Sequence, residues 1–345
     1  MRRPFGTLPD GRAIESIVLD SGELRAEILS YGGILRSLSL PVAGQRRELV
    51  LGLPDLPAYR QDRSYQGCII GRCANRIAAS RFQLDGRGYP LTANEGLNHL
   101  HGGAAGFGKQ AWQVVEAHGG ERPWLRLFYR SPAGEEGYPG NLDTVAEFSI
   151  SRRRLSLRFS ARCDAPTPLN LSYHPYFNLA GEPQVHASEQ LLRVPAAHFL
   201  AVDEALLPTG ALAPVDASPL DFRQPRTLAA GLRQGHPQLH IAGGYDHCLV
   251  LEPAADVAAE LYSPHSGVRM RILSDAPALQ LYGGHGLPRH YADPGSGICL
   301  EPQDFPDAVN RPAFPDIVLR PGATYSRSIS YCFTPAGEMP PAPAA

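Results

Sequence analysis

Two runs close together in the chain, Val145-Ala146-Glu147-Phe148-Ser149-Ile150 and Leu155-Ser156-Leu157-Arg158-Phe159, place an apolar residue at every second position. Successive side chains of a β-strand point to opposite faces, so this period predicts half-buried strands. Similar short alternating or β-branched runs occur at Ile14–Leu19, Leu24–Leu29, Ile34–Leu40, Trp112–Val115, Trp124–Tyr129, His247–Leu251, Val268–Leu273, Ala278–Tyr282 and Tyr325–Phe333. The pattern predicts an all-β fold.

The residues between these runs favour turns over long helices. The chain contains 35 glycines and 33 prolines, which interrupt regular structure frequently. The segment Arg81–Tyr89 predicts a hairpin, because its Asp85-Gly86 pair suits a tight turn with positive φ. Helical pattern is limited to short pieces such as Leu228–Leu232. Many short strands at regular spacing predict a sandwich or a barrel.

The chain is predicted to form one domain. Its 345 residues, 43% of them hydrophobic, are enough for a large core, and no linker or internal repeat divides them. The domain is expected to span residues 1–333. Residues 334–345 are rich in proline and alanine without an apolar period, and we expect them to form a disordered tail.

Charge and cysteine usage exclude several classes of protein. The net charge is −2, from 32 basic and 34 acidic residues, so neither nucleic acid nor an anionic membrane is an expected partner. Six cysteines without a CxxC pair indicate free thiols in a reducing compartment. The N-terminus lacks the apolar stretch of a secretory signal, and no run is long enough to span a membrane. We therefore expect a soluble, cytoplasmic protein.

Glu301 follows a short apolar run, Ile298–Leu300, that is typical of a core strand. Pro302 cannot donate to a sheet, so the strand is predicted to stop at Glu301. A carboxylate at the end of a buried strand is half desolvated, which raises its pKa towards neutrality and suits a general base. A surface salt bridge is the ordinary alternative role for such a glutamate.

Two earlier segments combine polar groups with turn residues. Asn75 and Arg76 lie on a predicted loop, where they can offer several donors to hydroxyl or carboxylate groups; alternatively, Arg76 covers a sheet edge. In the segment His99-Leu100-His101, alternation predicts that the two histidines share one face. The glycines that follow, Gly102 and Gly103, allow a ligand or another backbone to come close.

Two later segments offer a histidine and a carboxylate. His174 lies in the aromatic run Asn170–Leu179, so it should be partly buried beside surface on which a sugar ring could stack. A histidine in such a run is more often an ordinary core residue. Asp246 follows the turn Gly243-Gly244 at the start of a strand, where it can accept hydrogen bonds from sugar hydroxyls or cap its own turn.

The order of these segments resembles the aldose 1-epimerase family, also called galactose mutarotases, from about Gly11 to Phe333. The resemblance is carried by GRCANRIAASRFQLDGRGYPL, NHLHGGAAGFGKQAW, SPAGEEGYPG, NLSYHPYFNLAG, AVDEALLPTG, GGYDHCLVL, PALQLY and CLEPQDFPDAVNRPAFPDIVLRPGATY. It implies a large β-sandwich that interconverts the α and β anomers of free aldoses.

The same resemblance assigns roles to individual residues. It implies that Glu301 is the general base, that His174 is the general acid, and that His101 is a second active-site histidine. Sugar-binding groups would be Arg76, Asp246 and Gln280, with Asn75 helping to position Arg76. No metal and no redox cofactor is implied, because acid–base ring opening requires only two groups with pKa values near 7. The expected partner is a free monosaccharide, bound by a monomer or a homodimer.

The sequence departs from the family pattern beside the proposed acid. Tyr173 and Pro175 flank His174 where the family commonly has Asn and then Ser or Ala, and Leu281-Tyr282-Gly283-Gly284 replaces Tyr-Thr-Gly after Gln280. These changes leave the preferred sugar open.

Other functions also remain open at this level. A lectin-like sugar-binding module would keep the sugar contacts without an acid–base pair. An epimerase of a different or phosphorylated sugar is a further alternative, although no basic cluster suits a phosphate. His101, His174 and Glu301 could instead form a two-His-one-carboxylate metal site. A glycosidase usually needs two carboxylates, and only one strong candidate is found.

Overall fold

The structure is a computed structural model that describes residues 2–182, 184–287, 293 and 295–335. Strands form most of the regular structure in these ranges. The first fourteen are β1 (Arg2–Thr7), β2 (Ala13–Asp20), β3 (Arg25–Leu29), β4 (Leu35–Val42), β5 (Gln45–Glu48), β6 (Ile69–Ile70), β7 (Arg76–Ile77), β8 (Arg81–Leu84), β9 (Arg87–Pro90), β10 (His99–Leu100), β11 (Gln113–His118), β12 (Trp124–Ser131), β13 (Leu142–Ser151) and β14 (Arg154–Cys163).

The remaining strands and the helices follow in the second half of the chain. The strands are β15 (Thr167–Pro168), β16 (Ser172–Tyr173), β17 (Tyr176–Phe177), β18 (Leu191–Arg193), β19 (His198–Val202), β20 (Pro208–Pro214), β21 (Arg226–Thr227), β22 (Asp246–Val250), β23 (Ala259–Tyr262), β24 (Arg269–Ser274), β25 (Ala278–Tyr282), β26 (Ile298–Gln303), β27 (Val318–Leu319) and β28 (Tyr325–Thr334). The α-helices are α1 (Leu56–Gln61), α2 (Leu228–Leu232) and α3 (Pro237–Ala242), and single 3₁₀ turns lie at Ala78–Ser80, Phe107–Lys109, Glu135–Gly137, Ala187–Glu189 and Ala308–Asn310.

Three large antiparallel sheets dominate the fold. The first has five strands in the order β1-β2-β3-β4-β5, and the second has nine in the order β11-β12-β13-β14-β28-β24-β23-β18-β21. The third has six strands in the order β17-β26-β25-β22-β19-β20. Four two-stranded ladders accompany these sheets: β7–β10, β6–β16, β8–β9 and β15–β27. The prediction of an all-β sandwich with few short helices is confirmed.

One continuous cluster of buried side chains joins the three large sheets. It includes Leu40 from the first sheet, Phe159 from the second and Leu300 from the third. The alternating run Leu142–Ser151 shows why these strands form, because its even-numbered residues are buried and its odd-numbered residues are half-buried or exposed. The hydrophobic effect therefore favours one register, since a slip by one residue would exchange the two faces.

Several local predictions are confirmed. Each apolar run identified in the sequence lies wholly or mostly within a strand, and the predicted helical piece is α2. The predicted hairpin is the ladder β8–β9, in which Asp85 and Gly86 both have positive φ, at 51° and 77°. None of the helices among the described residues is long and apolar enough to cross a membrane. Of the predicted tail, Thr334 completes β28, and residues 336–345 lie outside the described part.

The prediction that the strand stops at Glu301 is wrong. β26 continues to Gln303, and Pro302 pairs with Leu279 of β25. On its other side, β26 pairs with β17 only through Ile298 and Cys299. Pro302 can therefore point its nitrogen away from β25 without breaking a ladder hydrogen bond, which is the setting that sheets tolerate for proline.

Candidate active site

Three neighbouring strands of the six-stranded sheet present polar side chains on one face. In the register of β22, β25 and β26, Gln280 lies opposite Glu301, and Asp246 lies opposite Tyr282. Alternate residues such as Leu300 point to the other face, into the large core. The apolar period that builds the sheet thus also fixes the side on which Asp246, Gln280 and Glu301 meet.

His174 is held between two very short strands, β16 and β17. Its backbone N–H donates to Cys68 (3.1 Å), and its carbonyl accepts from the N–H of Gly67 (2.9 Å). The imidazole packs against Tyr176, with ring centroids 5.2 Å apart. These contacts fix a side chain that is only 4% exposed.

The expected aromatic surroundings of His174 are only partly correct. Tyr173 donates its hydroxyl to the carbonyl of Gly33 (3.0 Å) and packs on Phe148, and Phe177 packs on Tyr331. Both rings pack in the hydrophobic core, because their positions alternate with those of His174 and Tyr176 along the chain. Of the aromatic residues near His174 in sequence, Tyr176 contacts its ring. Tyr65 and Tyr282, which also lie near that ring, come from distant segments.

Arg76 and His101 come together through the ladder β7–β10, in which Arg76 pairs with Leu100. His101 follows the ladder with a φ of 53°, which turns its side chain away from the direction of the strand. The backbone N–H of Asn75 donates to His101 Nδ1 (3.1 Å), and the side-chain oxygen of Asn75 accepts from the N–H of Arg76 (2.9 Å). Asn75 thus contacts both neighbouring site residues.

The prediction that His99 and His101 share one face is wrong. β10 ends at Leu100, and His101 adopts a left-handed backbone conformation, so the strand period does not continue. His99 is fully buried and hydrogen-bonds through Nε2 to the hydroxyl of Tyr138 (2.9 Å). Only His101 of the two lines the cavity described next.

All seven residues proposed for the site line one cavity of about 280 Å³. This volume is at the small end of the range for ligand pockets, as expected for a monosaccharide. The proposed residues are Asn75, Arg76, His101, His174, Asp246, Gln280 and Glu301. Segments separated by more than two hundred residues in sequence therefore share one concave surface.

Glu301 and His174 meet inside the cavity, and both are buried. His174 Nε2 lies 3.4 Å from Glu301 Oε1, and Glu301 is 1% exposed. Burial, reinforced by the charge of Asp246 and opposed by that of Arg76, raises the pKa of Glu301 well above its usual range. Burial lowers the pKa of His174 to about 4. A raised pKa of Glu301 agrees with expectation, whereas the pKa of His174 falls well below the expected value near 7.

The backbone fixes the hydrogen-bonding role of His101. Because Nδ1 accepts the N–H of Asn75, the ring proton of neutral His101 must lie on Nε2. Burial and the neighbouring His174 hold the pKa of His101 well below its usual range. His101 is therefore a neutral hydrogen-bond donor, and it is poorly placed to become an imidazolium.

The same contact argues against a metal at this point. Ligand atoms of His101, His174 and Glu301 lie within 4.8 Å of one another, so their spacing alone would allow an ion. A metal-bound histidine, however, normally donates its second ring N–H to an acceptor. His101 faces a backbone N–H donor instead, so the donor set does not fit a metal centre.

Ion pairs and amide contacts organise the rest of the cavity. Arg76 donates from Nε and Nη2 to both oxygens of Glu95 (2.6 and 2.7 Å), and its Nη1 lies 3.4 Å from Asp246 Oδ2. Gln280 Nε2 donates to the other oxygen of Asp246 (2.6 Å), and Gln280 Oε1 is buried without a partner among the described residues. The remaining hydrogen-bonding capacity suits the hydroxyls of a bound sugar.

Sequence reasoning missed several cavity residues, among them Tyr65, Glu95, Tyr282 and His285. The ring of Tyr65 lies 4.6 Å from that of His101, and the ring of Tyr282 lies 6.5 Å from that of His174. Tyr282 could have been found, because it is two residues after Gln280 and therefore on the same face. Tyr65, Glu95 and His285 lie on irregular segments without a periodic signal.

Comparison with known proteins places this chain and its fold in a family. The sequence profile of aldose 1-epimerase matches residues 15–332. The chain is 36% identical over 351 aligned positions to galactose mutarotase of Sus scrofa, covering 97% of this chain and 98% of that protein. It is 34% identical to aldose 1-epimerase of Escherichia coli strain K12, over 94% of this chain and 96% of that protein.

Solved structures agree with this assignment. Galactose 1-epimerase from Lactobacillus acidophilus NCFM superposes with a TM-score of 0.87 at 27% identity, over 97% of this chain and 98% of that chain. An aldose epimerase homologue from C. elegans gives a TM-score of 0.84 at 30% identity, over 93% and 99% of the two chains. This protein belongs to the aldose 1-epimerase family.

Proposed function

We propose that this protein is a mutarotase, which interconverts the α and β anomers of a free aldose such as galactose or glucose. The observation that carries the proposal is the contact of Glu301 with His174 in a cavity of monosaccharide size. Membership of the aldose 1-epimerase family supports the same reaction.

Ring opening follows from these two groups. Glu301 takes the proton of the anomeric hydroxyl while His174 gives a proton to the ring oxygen, and the bond between C1 and the ring oxygen breaks. The aldehyde rotates about its bond to C2 and then closes on its other face. Closure uses the same groups with their roles reversed, so each works once as an acid and once as a base.

Ring opening and ring closure both require that Glu301 and His174 together carry one proton. Because burial raises the pKa of Glu301 and lowers that of His174, this proton is expected on Glu301 before a sugar binds. That form is ready for ring closure, in which Glu301 gives a proton to the aldehyde oxygen. Transfer of the proton to His174 creates the form that opens the ring, so no net uptake from solvent is required.

The other polar groups have complementary roles in the proposal. The Nε2–H of His101 stabilises negative charge on the oxygen at C1 as it becomes a carbonyl, and the guanidinium of Arg76 binds a hydroxyl of the sugar. Asp246 and Gln280 bind the hydroxyls of the sugar. Tyr65, Tyr176 and Tyr282 pack around the imidazole of His174 and supply aromatic surface for the sugar ring.

Polarimetry on freshly dissolved α-D-galactose and α-D-glucose tests the proposal. Catalytic amounts of protein should increase the rate of approach to the equilibrium rotation, without changing the final value. Xylose and arabinose, measured in the same way, will define the preferred sugar. A protein that binds galactose but leaves the rate unchanged would instead be the lectin-like module.

The spacing of His101, His174 and Glu301 would allow a metal, although the backbone donor at His101 argues against one, and chelation tests this alternative directly. We expect full activity after prolonged dialysis against a chelator, because the proposed reaction moves only protons. Loss of a stoichiometric metal together with activity, and recovery on adding it back, would support the metal site.

We also propose that the enzyme is cytoplasmic and acts as a monomer or a homodimer. All six cysteines are free, and four of them are buried, which suits a reducing compartment. The net charge of −2 gives no reason to expect binding to nucleic acid or anionic membranes. Size-exclusion chromatography with light scattering will determine the oligomeric state, and cell fractionation the compartment.

A further inference from the structure

The orientation of Arg76 depends on Glu95, a cavity residue that the sequence analysis did not predict. The side chain of Arg76 is 8% exposed, and two of the three guanidinium nitrogens donate to the carboxylate of Glu95 in a bidentate arrangement. Such a pair fixes the plane of the guanidinium, because both parallel hydrogen bonds require the same orientation. Both N–H groups of Nη1 and the second N–H of Nη2 remain, and Nη1 is the nitrogen that faces Asp246 in the cavity.

Glu95 is itself held firmly. Its backbone N–H and carbonyl both bond to Asn98 (3.1 and 2.9 Å), which closes a tight turn just before β10. The side chain of Asn94 bonds to the N–H and the carbonyl of Leu100 (2.7 and 2.9 Å) and to the hydroxyl of Tyr65 (3.2 Å). Since Leu100 pairs with Arg76, the turn and Arg76 form one rigid unit.

We propose that Glu95 is a positioning residue that aims Nη1 of Arg76 at a hydroxyl of the bound sugar. This inference rests on the proposed mutarotase function. Without Glu95, the guanidinium of Arg76 could rotate and pair more fully with Asp246, which would remove both groups from the sugar. The loss should appear mainly in sugar binding, because Arg76 contacts the sugar before the chemical step as well as during it.

Glu95→Gln is the direct test, because it keeps the shape of the side chain but removes its charge and half of the bidentate pair. We expect the Michaelis constant for galactose to rise about tenfold while the turnover number stays within about threefold of the wild type. The matched control is Glu147→Gln, which removes a carboxylate that bonds Arg126 on the nine-stranded sheet, outside the cavity. Both constants should be unchanged in the control.

A double-mutant cycle tests whether Glu95 acts through Arg76. In an Arg76→Gln background, Glu95→Gln should raise the Michaelis constant no further, because the group that it positions is already absent. An equal rise in both backgrounds would mean that Glu95 touches the sugar directly, and it would overturn the inference. Circular dichroism of each variant will establish that the fold is retained.

The remaining outcomes separate this inference from the proposed function. A wild-type protein without mutarotation defeats the proposed function before any variant is made. An active wild type with an unchanged Michaelis constant in Glu95→Gln overturns only the role of Glu95. A fall confined to the turnover number would also overturn it, because Glu95 would then act on the chemical step.

Discussion

At the scale of single residues, the decisive property is the opposite effect of burial on two neighbouring groups. Burial raises the pKa of Glu301 and lowers that of His174. Both shifts favour the uncharged forms, so the pair keeps one proton and avoids an unpaired charge at a buried position. Burial of these groups costs free energy, but it lets one proton move between them, as a reversible acid–base pair requires.

Glu301→Gln should remove at least a hundredfold of turnover, because a general base supplies about that much or more. Amide and carboxylic acid have nearly the same shape, so the loss should be chemical and the fold should remain. Polarimetry on galactose measures this effect. Turnover within about tenfold of the wild type would contradict the role of Glu301.

The same variant should also be more stable than the wild type at neutral pH. The pKa of Glu301 is higher in the folded than in the unfolded state, so below the unfolded value of about 4.3 its burial carries no ionisation cost. As the pH rises above this value, the unfolded state can ionise and the wild type loses stability. Thermal midpoints of both proteins should therefore diverge from pH 4 to pH 8.

The two site histidines should give different kinetic effects. His174→Asn should remove most of the turnover with little change in the Michaelis constant, because an interaction made mainly in the transition state is lost. His101→Asn should affect both constants, since its fixed Nε2–H can already donate to a hydroxyl of the bound sugar. A reversed pattern in the steady-state kinetics would make His101 the acid.

The pH profile follows from the proton count of the pair. When Glu301 is already protonated, a second proton on His174 leaves no base for ring opening or for ring closure. Because the pKa of His174 is lowered to about 4, the acid limb of kcat/KM should lie near pH 4. Polarimetry in buffers from pH 3 to pH 9 will measure it. An acid limb near 6.5, the ordinary value for histidine, would contradict the buried state of His174.

At the scale of elements, the turn after β10 is as important as the strands of the six-stranded sheet. It places His101, and it can do so only because Gly102 approaches another backbone. The φ of Gly102 is 85°, and an added Cβ would lie 1.8 Å from the carbonyl oxygen of Gly71. No side chain fits at this position without moving one of the two segments.

Gly102→Ala should therefore destabilise the protein strongly and reduce activity by displacing His101. Gly11→Ala is a matched control, because Gly11 has a φ of 86° but open space around its Cβ position. The control should lose only the cost of a left-handed alanine, about 1–2 kcal/mol, and keep its activity. Urea unfolding and polarimetry compare the two. Equal losses would mean that the close approach is unimportant.

At the scale of the whole molecule, the cavity joins segments that only the complete sandwich brings together. Arg76 and His101 come from the small ladder β7–β10, whereas Asp246, Gln280 and Glu301 come from the six-stranded sheet. A sugar bound between them links the two parts, so binding and global stability should be coupled.

Galactose should consequently raise the thermal midpoint of the whole protein. At a concentration a hundredfold above the dissociation constant, the stabilisation should reach about 2.7 kcal/mol. Galactitol, an open-chain polyol that cannot close a ring, is the control and should have a much smaller effect. Equal shifts with both compounds would indicate a general polyol effect instead of binding in the cavity.

The sequence by itself determined the all-β architecture and the side chains proposed for the chemistry. Strand periodicity is local, so the runs from Ile14–Leu19 to Tyr325–Phe333 could be read directly, and the Asp85-Gly86 turn carried its own conformational signal. The type and order of motifs around Arg76, His174 and Glu301 pointed to the family.

Only the tertiary structure decided how these groups are oriented and charged. The extension of β26 past Pro302 depends on where β17 ends, and the separation of His99 from His101 depends on one left-handed residue. Tyr65 and Glu95 reach the site from irregular segments, which have no period to read. The fixed proton on His101 and the opposite pKa shifts of Glu301 and His174 arise from burial and from backbone groups distant in sequence. These effects depend on groups that only folding brings together, so a local pattern of residues cannot reveal them.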